Sequence, residues 1–287
     1  MKKIDLHMHV MTTWNLPKIG KIEISNPKSM IAHMDELGIS KAVLMSSGEK
    51  KVPLGKNETN RKICEKYPER FAWMCTVDPV DEATAYDRLA KYKKQGAIGV
   101  GEYTVNKTLD DPFQQAVFSA AEKLDLPVTI HMSPEVGVGY GVVDRPGFPL
   151  LEGILQKYPK LKVLGHSQVF WIEMSADAPT DNEGRNAWGQ GPVKEGGRVP
   201  ELFAKYENLY GDLSANSAGQ AIMRDPKFGL HFLETYADRL FFATDMVNSS
   251  MVFPLGAWLD EQVKEGKLSK ETYEKICWKN AQRVFGL

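Results

Sequence analysis

The chain has 287 residues, 43% hydrophobic and 25% charged, with a formal net charge of −1. These values fit one large globular domain, and the near-neutral balance gives no support to nucleic-acid or anionic-membrane binding. No apolar run approaches the ~18 residues of a membrane span, and the three cysteines, Cys64, Cys75 and Cys277, lack metal-site spacing. Met1-Lys2-Lys3 is followed by Asp5 and His7 rather than by an apolar leader, so a cytoplasmic protein with reduced thiols is expected.

The first element reads Ile4-Asp5-Leu6-His7-Met8-His9. In a regular strand His7 and His9 share one face, while Leu6, Met8 and Val10 turn to the other. Two buried imidazoles are costly unless hydrogen-bonded or bound to a metal ion, and the pair alone does not decide between these. Seven further β-rich runs follow: Ala42–Met45, Phe71–Val77, Ala97–Val100, Val128–Ile130, Lys162–Leu164, Leu209–Gly211 and Leu240–Ala243. Helical patterns lie between them, at Pro27–Leu37, Asn57–Tyr67, Ala83–Lys94, Pro112–Leu124, Leu150–Tyr158, Pro200–Tyr206 and Phe228–Tyr236, with a last one at Ser269–Phe285. Their ends fall at Gly38, Gly96 or before Pro68 and Pro159, residues that stop helices. Eight strand–helix repeats predict a (β/α)8 TIM barrel, in one domain over residues 1–287. Three long loops, about 10–26, 133–149 and 168–199, should lie on the C-terminal face of the barrel. The third carries Trp171 and Trp188, which suits a lid better than a linker.

Polar residues recur where the apolar strands end. The fourth run leads into Gly101-Glu102, the fifth into His131, the sixth into His166 and the eighth into Thr244-Asp245. Taken singly, each has an ordinary reading: a sheet-edge histidine, a loop carboxylate, or a helix cap at Asp245. Together with His7 and His9 they place six metal-competent side chains around one cavity, which argues for a divalent metal site at the C-terminal ends of the strands. His33 and His231 fall inside helical patterns and read as packing or surface residues.

This order (His-X-His, an acid on the fourth strand, histidines on the fifth and sixth, an aspartate on the eighth) resembles the amidohydrolase superfamily from Asp5 to Asp245. The segment from Ile154 to His166, with Tyr158-Pro159 before the histidine, resembles the amidohydrolase-2 branch, which contains aromatic-acid decarboxylases. The resemblance implies that His7, His9 and Asp245 hold one ion, with Glu102 bridging to a second held by His131 and His166. Many binuclear members carry a carboxylated lysine where this chain has Glu102. The remainder of the nuclease pattern that also uses a Gly-Glu step is missing. Zinc suits the donors, with Mn²⁺ or Fe²⁺ as alternatives. The first expectation is a hydrolase acting on a small ester, lactone or amide through metal-activated water, with Asp245 as base then acid. The alternative is a one-metal decarboxylase or hydratase of a small carboxylic acid, aromatic or not, using His7, His9, His131 and Asp245 and freeing His166 for proton transfer.

Substrate contacts are read from the loops. Trp14, Trp171, Trp188 and Tyr140 are candidates to line a pocket for a ring, Arg145, Arg185 and Arg224 to clamp a carboxylate, and Asn216 to hydrogen-bond substrate. Loop packing or turn-making is the plain alternative for each. Barrels of this type often form homodimers, but nothing in the sequence marks a contact surface.

Overall fold

The computed structural model describes residues 1–11, 23–50 and 54–287. Among the described residues, nine strands occur in chain order: β1 (Lys3–Met8), β2 (Ile39–Leu44), β3 (Phe71–Trp73), β4 (Val100–Tyr103), β5 (Val128–Ser133), β6 (Val142–Val143), β7 (Val163–His166), β8 (Leu209–Asp212) and β9 (Leu240–Phe241). Their pairings are parallel, β1-β2-β3 in one run and β4-β5-β7-β8-β9 in the other, with the short β6 attached to β5. Backbone hydrogen bonds join the two runs. Cys75 N donates to Gly99 O and Gly101 N to Cys75 O, while Leu6 N donates to Phe242 O and Asp245 N to His7 O. The sheet therefore closes on itself, as the eight repeats predict, with helices between successive strands.

The expected helices form where their apolar faces and caps place them. Asn26 caps Pro27–Glu36, accepting from Lys28 N and Ser29 N, and Asp111 caps Pro112–Lys123. Two helices escaped the sequence pattern, Ala215–Met223 and Leu255–Lys264. The first buries only small or single large groups (Ala218, Ala221, Ile222), which leaves little apolar periodicity to read. The predicted tail helix is broken internally, with a π-helical turn at Lys275–Lys279.

One expectation about β1 is corrected. Leu6 does not share a face with Met8 and Val10. It packs with Ile4, Val43, Met45, Leu164 and Phe241, whereas Met8 and Val10 join the separate cluster beneath the helices. The cause is an irregularity in the β1–β2 register between Asp5 and Met8, which interrupts strict alternation. The segment 168–199 is also more ordered than an open loop. It contains helical turns at Gln168–Trp171, Ile172–Met174 and Asn182–Arg185. Among the described residues, no helix is long and apolar enough to cross a membrane.

Candidate metal centre

The six predicted side chains converge. His7, His9 and Asp245 bring ligand atoms within 4.8 Å of one another, and so do Glu102, His131 and His166. His7 Nε2 and His9 Nε2 lie 3.4 and 3.3 Å from Asp245 Oδ1. Glu102 stands between the two triads. Its Oε1 accepts from His131 Nδ1 at 2.6 Å and lies 3.6 Å from His166 Nε2, while its Oε2 lies 3.7 Å from His9 Nε2 and 3.8 Å from His7 Nε2.

Two carboxylates that the sequence reading gave no metal-site role hold this arrangement. Asp212, at the end of β8 and fully buried, accepts from His7 Nδ1 at 2.7 Å. That bond orients the ring so that Nε2 lies beside Asp245 and Glu102. Asp5 accepts from the backbone N–H groups of His7 and Thr244 and from the Thr244 hydroxyl, so it ties β1 to the residue before Asp245. Asp5 stands in the histidine motif itself, but its partner lies 239 residues away, and local pattern does not reveal it. Asp245 is held at φ +60°, in the left-handed region, by its backbone bond to His7 O. Such strain in a non-glycine residue persists only where surrounding contacts impose it. Ser214 Oγ completes the support, 2.8 Å from His166 Nδ1.

The electrostatics follow from burial and crowding. Burial works against a charged His7, but Asp212, Asp245 and Glu102 outweigh it and raise its pKa to about 10. Burial, reinforced by the charge on His7, pushes His166 down to about 4. Glu102 is held well below the usual carboxylate range: burial opposes ionisation, but His131, His7 and His166 overcome it. Asp245 is lowered in the same way, chiefly by His7 and His9. Burial raises Asp5 to about 7 despite its hydrogen bonds.

These donors fit a divalent ion. His7 Nε2, which lies beside Asp245 and Glu102, is buried without a hydrogen-bond partner, although a buried polar atom without one costs about 1–3 kcal/mol. Nitrogen and carboxylate oxygen atoms in clusters of three are the donor set of zinc and of related first-row ions.

The remaining candidates are dispersed. Trp171 is 1% exposed, packed on Phe170 and Phe232, with its indole N–H donating to Asp212 O. Arg185 is equally buried, near Glu173 Oε1 and Pro134 O, with Nε and Nη2 unpartnered. Neither side chain is open to solvent. Arg145 is exposed and Asn216 half-buried on the first turn of Ala215–Met223. Trp14 lies outside the described residues. Trp188 is exposed on the long segment, and Arg224 bonds the carbonyls of Gln190 and Gly191. His33 lies between two acceptors, Glu36 Oε2 and Met251 O, and His231 is exposed on its helix, as expected for packing and surface residues.

A barrel with a histidine–carboxylate cluster at the ends of its strands defines the class, and comparison with known proteins supplies the family. The sequence matches the Amidohydro_2 family of amidohydrolases over residues 4–287, and the chain belongs to that family. No curated protein matches the sequence. Solved structures share the fold at low identity. An uncharacterized TIM-barrel protein from Bordetella bronchiseptica is 16% identical, with a TM-score of 0.65, covering 100% of this chain and 99% of that one. A probable 2-pyrone-4,6-dicarboxylic acid hydrolase from Acinetobacter baumannii, with citric acid bound, is 18% identical with a TM-score of 0.60 and full coverage of both chains, 100% each. A 5-carboxyvanillate decarboxylase from Novosphingobium aromaticivorans, complexed with manganese and 4-hydroxy-3-methoxy-5-nitrobenzoic acid, is 21% identical with a TM-score of 0.58, covering 93% and 81%. The family is one of enzymes, and hydrolase and decarboxylase both stand among the neighbours.

Proposed function

We propose that the chain is a metal-dependent hydrolase of a small organic ester, lactone or amide. The observation that supports this reading is the position of Glu102. Its two oxygens lie toward different triads, which suits a carboxylate bridging two ions. The one-metal decarboxylase reading needs His131 beside His7, His9 and Asp245, yet His131 groups with Glu102 and His166. The hydrolase reading is therefore preferred, although the structural neighbours include decarboxylases as well as a probable hydrolase.

In this reading His7, His9 and Asp245 would hold one ion, and Glu102, His131 and His166 would hold a second. Zinc is the proposed ion, with manganese or iron as alternatives. A bound divalent ion supplies Lewis acidity and lowers the pKa of water toward about 7. The chain's own groups do the rest. Asp245 has a side chain 29% exposed and a depressed pKa, so at neutral pH it is a carboxylate open to the cavity, able to take a proton at a carboxylate oxygen and return it to the leaving group. Asp212 and Ser214 hold His7 and His166 in fixed orientations. Arg145 and Asn216 are the proposed polar contacts to a small-molecule substrate.

The test is hydrolysis of a panel of lactones, esters and amides by zinc- or manganese-loaded protein, with CO₂ release from aromatic acids measured in parallel. Hydrolysis that falls at least about 10³-fold in Asp245→Asn, with metal content kept, supports the proposal. CO₂ release without hydrolysis overturns it.

A further inference from the structure

Tyr140 stands out because it is large, apolar in its ring, 59% exposed and yet fixed in place. Its ring lies on the imidazole of His131, centroids 4.5 Å apart at 44°. Its phenol is within electrostatic reach of Glu102 and Asp245, which places it at the mouth of the metal centre.

The position is built by the backbone. Gly141, at φ +114°, presses against β5: a Cβ there would come 2.7 Å from His131 O and 2.8 Å from His131 Cδ2. Only glycine permits this approach, and it leaves the preceding side chain beside the imidazole. Asn106 clasps the turn, its amide donating to Gly141 O and Glu135 O and its oxygen accepting from Gly137 N. Gly141 N donates to Thr104 O, and Ser133 Oγ donates to Val138 O. A loop that served only as a connection would not need a clasp at both ends to display an exposed aromatic ring.

We propose that Tyr140 is a substrate-contacting residue that presents its ring and hydroxyl to a planar, ring-bearing substrate, giving the site a preference for rings over open-chain compounds. The chemistry is offset or edge-on ring packing beside the ions, with the hydroxyl available to donate to a substrate oxygen. The inference rests on the metal-site reading above and narrows its substrate class.

The experiment is calorimetric binding of two probes, salicylate (a ring) and lactate (open-chain), to zinc-loaded protein, with zinc content measured on each sample. Wild type binds salicylate at least about tenfold more tightly than lactate. Tyr140→Ala weakens salicylate about tenfold and lactate less than about twofold, with zinc content unchanged. Tyr140→Phe keeps most of the ring preference and loses about threefold from the hydroxyl. Asn106→Ala, which leaves Tyr140 present but unclasped, weakens salicylate several-fold. Zinc-loaded wild type without ring preference, or with a preference that survives Tyr140→Ala, overturns this inference and leaves the metal site standing. Wild type that binds no zinc overturns the metal-site reading, and this inference with it.

Discussion

Replacing Asp212 by Asn tests how the protein controls its metal affinity. Asp212 accepts from His7 Nδ1 at 2.7 Å in a fully buried setting, and the amide of Asn keeps the shape while removing the charge. In the metal-free protein His7 has a pKa of about 10, because Asp212, Asp245 and Glu102 outweigh the burial that would lower it. A metal ligand must be unprotonated. At pH 7 only about one His7 in a thousand is, so proton competition weakens apparent metal binding by about 4 kcal/mol. The sign follows directly. The logarithm of apparent affinity rises with pH, by about one per pH unit from His7 alone, until pH nears 10. In the metal-free fold the same raised pKa stabilises the native state fully below pH 6.5, and that stabilisation is lost as pH climbs through about 10. Asp212→Asn lowers the pKa of His7, which makes the slope shallower, but it also weakens the imidazole as a ligand, typically about 10- to 100-fold in affinity. Zinc competition with a chromophoric chelator from about pH 6.5 to 8.5 separates the two effects. The variant's affinity relative to wild type should rise as pH falls, because the proton penalty it relieves is largest at the acid end. A ratio that does not change with pH would refute the reasoning.

Two further predictions concern stability. Burial raises Glu173 from its usual 4.5 to about 6, although both its oxygens accept from Gly147 N. A raised carboxyl pKa stabilises the fold below pH 4.5 and loses that contribution as pH rises through about 6, a change of about 2 kcal/mol. Urea unfolding of metal-stripped protein should show this loss in wild type and its removal in Glu173→Gln, and equal pH dependence would contradict it. Gly165→Ala puts a Cβ 2.3 Å from the ring of Phe170, which is itself stacked on Phe148. Overpacking of this kind costs about 1–3 kcal/mol, so Tm should drop by several degrees, and an unchanged Tm would show that the ring can move aside.

The candidate metal cluster was legible because each member stands at the end of an apolar strand, and a parallel barrel brings all such ends together. His7, His9, Glu102, His131, His166 and Asp245 could be collected from five strand ends without any contact information. What holds them could not. Asp5 reaches Thr244 and Asp212 reaches His7 across 205 residues or more, and hydrogen bonds over such separations leave no local pattern. The loops misled for a related reason. Trp171 suits a lid over a linker because linkers seldom carry tryptophan, but a helical turn carries it into the core. Tyr140 drew notice as an aromatic loop residue, while the clasp that fixes it is set by Asn106, from the preceding β4–helix connection. The helix Ala215–Met223 was missed because its buried face is built of small side chains.

The central claim, that Glu102 bridges two ions, is tested most directly by elemental analysis of metal per chain in wild type and Glu102→Gln. The account predicts about two ions in wild type and about one in the variant. About one ion in both would contradict the bridge, and no bound metal in wild type, even after incubation with zinc or manganese, would contradict the site itself.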